Sequence, residues 1–210
     1  AWQISERSTL FASYAGTYKG FKDVHDLVGG GQLFQESLDH RFSAKWARKL
    51  SESWTLKPRL SYTKELFKET RDEKWTKGLY DYDRYGLGLA AERNGSLFSR
   101  PSRLSVGYNS FWTQYPNYQS LSSIFGNELA SSGPGSRTLD TLSHDLTLES
   151  ALGISPRWDS WLGYTVSLRN FTDQHIANSA GSYDSALRND FDHQLNLGAG
   201  FRPDWRLASL

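Results

Sequence analysis

Between Leu38 and Tyr62 the chain sorts its side chains two by two. Leu38, His40, Phe42, Ala44 and Trp46 alternate with Asp39, Arg41, Ser43 and Lys45, and Lys49 falls on the charged side. After Ser51-Glu52-Ser53, the residues Trp54, Leu56, Pro58, Leu60 and Tyr62 alternate with Thr55, Lys57, Arg59, Ser61 and Thr63. Side chains two apart share a face only on a strand. The stretch therefore predicts a hairpin with one oily and one charged face.

The same period recurs along the chain. Leu10 to Tyr18 shows it, as do Tyr85, Leu87, Leu89 and Ala91 opposite Arg84, Gly86, Gly88, Ala90 and Glu92. It returns over Leu104 to Trp112, Leu142 to Ile154, Leu162 to Leu168 and Phe191 to Phe201. With fragments at Trp2 and at Trp205, this predicts about eight complete antiparallel strands plus a partial strand at each end. Short turns are expected near residues 5, 51, 94, 156 and 203, the third on the strength of Asn94-Gly95. Lys64 to Gly78, Gln114 to Arg137 and Phe171 to Ser185 read as long loops, as does the stretch around Gly29-Gly30-Gly31. No Lys-Ser/Thr follows those glycines, so they predict a flexible loop and not a phosphate cradle. Tight turns at one end and elaborate loops at the other describe an up-and-down sheet.

Composition narrows the setting. The chain has 210 residues, read as a single domain over 1–210, with 38% hydrophobic and 14% aromatic residues. A soluble core usually leans more on Leu, Ile and Val. The net charge of +1 gives no global field for nucleic acid. Absence of cysteine removes disulfides and thiol catalysis. With no methionine and an opening at Ala1-Trp2, the chain reads as a piece of something longer. No window approaches the roughly 18 apolar residues of a membrane helix, but strands that cross a bilayer escape that test.

On these traits the whole chain resembles a bacterial outer-membrane β-barrel. Trp46, Trp54, Trp158 and Trp205 sit beside the short turns, while Tyr62, Tyr85, Trp112 and Phe191 sit beside the long loops, as aromatic girdles would. Lys45 and Arg59 lie near mid-strand, where a basic side chain facing lipid costs roughly 2 to 4 kcal/mol. The charged face must then look inward. The resemblance implies an all-β, antiparallel up-and-down transmembrane barrel, expected to be a segment of a larger one, in the outer membrane, with the lipid bilayer as its main partner. Other envelope proteins or the rest of the barrel would be further partners.

The charges on that inward face are Arg41, Lys45, Lys49, Lys57, Arg59, Glu92, Arg103, Asp145, Glu149, Arg169 and Asp192. Basic groups crowd the central hairpin and acidic ones the later strands, which suggests a transverse field along a passive pore for small polar solutes. Against this stands mutual neutralisation of the charges. A structural, anchoring barrel and a soluble lipocalin-like barrel turned inside out are the alternative functions. His40, His144 and His193 share the oily face and read as girdle residues, with no metal site expected. Ser143-His144-Asp145 cannot form a relay because neighbours on a strand point apart, so neither enzyme activity nor a cofactor is expected.

Overall fold

The structure, a computed structural model, describes residues 1–20, 36–69, 73–118, 136–177 and 183–201. They form β1 (Trp2–Ser5), β2 (Ser8–Gly20), β3 (Glu36–Lys49), β4 (Trp54–Lys68), β5 (Tyr82–Leu97), β6 (Arg100–Gln114), β7 (Thr141–Gly153), β8 (Trp158–Ala177) and β9 (Tyr183–Phe201). The nine strands make one antiparallel sheet in chain order, with no helix among the described residues. β1 and β9 are its two edges and do not pair with each other, so the sheet is not closed. Eight full strands and one short leading strand match the alternation. The expected closing fragment at Trp205, the turn near 203 and the glycines 29–31 lie outside the described residues.

Several boundaries differ from the sequence reading. Lys64 to Lys68 continues β4 instead of opening a loop. Its charges are held across the ladder, Lys64 to Asp83 at 3.0 Å and Lys68 to Glu36 at 3.1 Å. Residues 171–177 likewise extend β8 and residues 183–185 belong to β9, where the sequence predicts loop. Asn94-Gly95 is not the turn. Both residues pair in the ladder, with Arg103 and Ser102, and the chain reverses at Phe98-Ser99. Those two residues have φ of 50° and 60°, the double left-handed geometry of a two-residue hairpin loop. Pairing along the whole of β5 and β6 overrides the local Asn-Gly preference.

Pro58 leaves a visible mark. The ladder between β3 and β4 is paired at Lys45 and Arg59, skips two steps, and resumes at Arg48 and Leu56, whereas Pro58 pairs with Leu89 on the other side. A residue without an N–H loses its bond toward one neighbour only.

There is almost no protein core. Leu66 and Phe171, both toward the long-loop end, are the buried hydrophobic side chains among the described residues. On the oily face Leu87 is 65% exposed, Leu195 61% and Leu197 69%. Burying a large apolar side chain contributes roughly 1.5 to 3 kcal/mol, and a whole domain is held by about 5 to 15. A face bearing more than half a dozen such side chains needs a cover.

Candidate functional site

The pairing register fixes how the aromatic residues of the oily face lie relative to one another. Starting from Phe42, the rung runs through Tyr62, Tyr85, Trp112, Leu142 and Asn170 to Asn189. Its first part is a continuous row of rings: Tyr14 to Phe42 at 4.7 Å, Phe42 to Tyr62 at 6.2 Å, Tyr62 to Tyr85 at 5.2 Å and Tyr85 to Trp112 at 6.0 Å. His40 sits two residues from this rung toward the long loops, Tyr85 on it, His144 two residues below and His193 four below. The line through these four descends by about one residue per strand. With roughly 3.3 Å per residue and about 4.8 Å between strands, a line that is level corresponds to strands inclined by roughly 35°.

Each histidine on that line meets a tyrosine from the preceding strand on the same diagonal. Tyr14 and His40 are joined at 2.8 Å, Tyr108 and His144 at 2.7 Å, and Tyr164 and His193 at 2.6 Å, phenol oxygen to Nδ1. Below the line the positions on the oily face are Phe42, Ala44 and Trp46 on β3, Leu87, Leu89 and Ala91 on β5, Leu146, Leu148 and Ser150 on β7, and Leu195, Leu197 and Ala199 on β9. None is charged. Eight residues below the line come Arg48 and Arg93, each with its guanidinium over a tryptophan ring, Trp46 at 5.6 Å and Trp54 at 5.9 Å. Trp158 packs on Phe201 at 4.7 Å at the same end. Above the line the same face turns ionic, with Lys64 and Tyr62 both bound to Asp83.

The opposite face carries the charges. Lys45, Arg59, Gly88, Asn109, Asp145, Ser167 and Asp192 form one rung, basic at β3 and β4 and acidic at β7 and β9. Lys57 donates to Glu92 at 2.6 Å, and Arg41 holds Asp39 at 2.5 Å. Lys49 and Glu149 lie on one lower rung through Thr55, Glu92 and Ser105, and Arg103 lies between Asn94 and Ala151. Arg169 pairs in the ladder with Ser143 and Asp190. So the sequence-predicted charges share a face and only Lys57 and Glu92 form an ion pair with one another. A hollow of about 290 Å³ spans β3 to β7 on this face, with Lys45, Lys57, Arg59, Glu92 and Glu149 in its wall. Gly88 belongs to its wall, where a Cβ would collide with the Asn109 side chain, and a Cβ at Gly86, one step along β5, would collide with Ser61.

At the long-loop end the face carries a hydrogen-bonded shelf. Tyr82 donates to Glu65 at 2.6 Å and packs on Tyr115 at 5.5 Å. Asp81 accepts from the Phe67 N–H at 2.7 Å, and Asp140 from the Tyr115 N–H at 2.7 Å. Burial pushes both carboxyls above the usual aspartate range, against the pull of those N–H groups. Asp81 and Asp83 are thus each committed to protein partners.

Sequence reading passed over Arg84, Arg188, Tyr82 and Tyr115 as site residues. The parity that selected Glu92 also selects Arg84, whereas Tyr115 and Arg188 sit beside stretches read as loop. Comparison with family models, curated proteins and solved structures gives no significant match.

Proposed function

We propose that the sheet is the wall of an antiparallel, up-and-down transmembrane β-barrel in a bacterial outer membrane, and that its polar face lines a passive conduit for small polar solutes. The observation that carries this reading is the slanted line His40, Tyr85, His144, His193. Residues of one chemical kind return at one height only if the strands lean by the roughly 35 to 45° of a membrane barrel. Eight residues of rise from that line to Arg48 and Arg93, at such a tilt, span roughly 20 Å, near the apolar band of about 25 Å in such barrels.

Further support comes from the exposure of the oily face and from the paired polar groups at its rim, since a bilayer tolerates a phenol or imidazole best when it is hydrogen-bonded. The hollows on the charged face favour a polar lumen over an apolar cavity of the lipocalin kind. A second reading, a structural barrel element of a larger envelope assembly, is favoured by the two unpaired sheet edges.

Reconstitution into planar bilayers tests the conduit. Stepwise current that falls when Lys45 and Arg59 are replaced by tryptophan is the expected result. Complete absence of current at any protein density would leave the structural reading in its place.

A further inference from the structure

The polar face holds two adjoining hollows whose walls contain arginines and no carboxylate. The first, about 360 Å³, has Arg41, Arg59 and Arg84 among Ser43, Ser61 and Thr63. The second, about 470 Å³, has Arg84, Arg169 and Arg188 among Thr113, Thr141 and Ser143. Arg84 is the shared wall. Its guanidinium lies over the Phe111 ring, 4.0 Å from the ring centroid, which holds it in place by cation–π attraction. Its Nε is buried with no hydrogen-bond partner.

Three acids beside these hollows already have partners. Asp39 takes Arg41, Asp190 takes Arg188 through two bonds of 2.8 and 2.9 Å, and Glu65 takes the Tyr82 hydroxyl. That leaves Arg59, Arg84 and Arg169 without a carboxylate partner among the described residues. A guanidinium presents a planar fork of N–H donors matched to carboxylate and phosphate oxygens, and the hydroxyls beside it complete the shell of a hydroxylated solute.

We infer that this strip is an oxyanion site: Arg59, Arg84 and Arg169 bind small hydroxylated solutes that carry a carboxylate or phosphate group. The consequence for selectivity rests on the conduit reading, but the site itself does not. Three free cations over two connected hollows favour anions and hold neutral sugars weakly.

Isothermal titration of the full chain in detergent micelles with inorganic phosphate, gluconate and glucose tests this. Both anions are expected to bind and glucose not to. Arg84→Gln should weaken anion binding at least tenfold, while Lys77→Gln, on an exposed loop, should leave it unchanged. Should Arg84→Gln fail to fold, Arg169→Gln on another strand carries the same expectation. Binding of only one anion supports the site and names its oxyanion. Failure of both anions to bind, or unchanged affinity in both arginine variants, overturns it. Anion binding without membrane current would sink the conduit and spare the site, whereas current without anion binding does the reverse.

Discussion

The phenol oxygen of Tyr108 lies 2.7 Å from Nδ1 of His144, reaching diagonally from β6 to β7 on the face that carries the leucines. Two other strand pairs, β2–β3 and β8–β9, repeat the contact, and in all three the rings stack with centroids 6.0 to 6.1 Å apart. Where a fourth such pair would fall, on β5, Tyr85 stands instead and packs on Tyr62. The device satisfies a polar edge on an otherwise oily surface.

Removing one partner should therefore hurt more than removing both. Tyr108→Phe strands the imidazole nitrogen and is expected to cost about 1 to 3 kcal/mol, whereas the double variant Tyr108→Phe with His144→Leu should return close to wild type. Urea unfolding from lipid vesicles measures both. Simple additivity of the two losses would show that the pair is incidental.

Depth sets the second expectation. Leu89 lies on the oily face midway between Tyr85 and Arg93, while Thr147 lies on the charged face of β7. Leu89→Arg should destabilise the vesicle-bound protein by roughly 2 to 4 kcal/mol, and Thr147→Arg by less than about 1. Equal costs would contradict the sidedness.

The shelf at the long-loop end responds to pH. A carboxyl with a higher pKa folded than unfolded holds its proton more tightly in the folded state. Asp81 and Asp140 are raised chiefly by burial. Their contribution is full below the ordinary aspartate value and fades as pH rises through the raised one, so mild acidification should tighten the shelf. Asp81→Asn keeps an acceptor for the Phe67 N–H and should flatten that slope. Asp81→Ala orphans the N–H and should cost about 1 to 3 kcal/mol. Urea titrations across the acidic range distinguish the two variants.

At the tight end the chain reverses through Phe98 and Ser99, both left-handed, and Phe98 is 86% exposed. A left-handed conformation costs a residue with a Cβ roughly 1 to 2 kcal/mol. Replacing the pair by Asn-Gly should raise stability by about 1 kcal/mol, read as a shift of the urea midpoint without change of slope.

The faces were legible in the sequence because a period of two needs no knowledge of neighbours: Lys45 and Leu60 sort correctly from their own strands. Strand ends were not. Lys64 and Lys68 look like loop until Asp83 and Glu36 are seen opposite them. The true reversal at Phe98-Ser99 carries no turn signature, and Asn94-Gly95 carries one that the ladder overrules. The aromatic residues were expected in two bands, but the one-residue-per-strand stagger from His40 to His193 lives only in the register. Arg84 escaped notice as a site residue since its free Nε and its seat on Phe111 are facts of packing.

Nitroxide labels decide most directly whether one face of this sheet meets hydrocarbon. The chain has no native cysteine, so single cysteines at Leu89, Ala90, Leu146 and Thr147 can be labelled cleanly in vesicles. Labels at Leu89 and Leu146 should be relaxed by oxygen and shielded from a water-soluble nickel complex, with Ala90 and Thr147 the reverse. Nickel reaching all four positions equally would contradict the transmembrane wall.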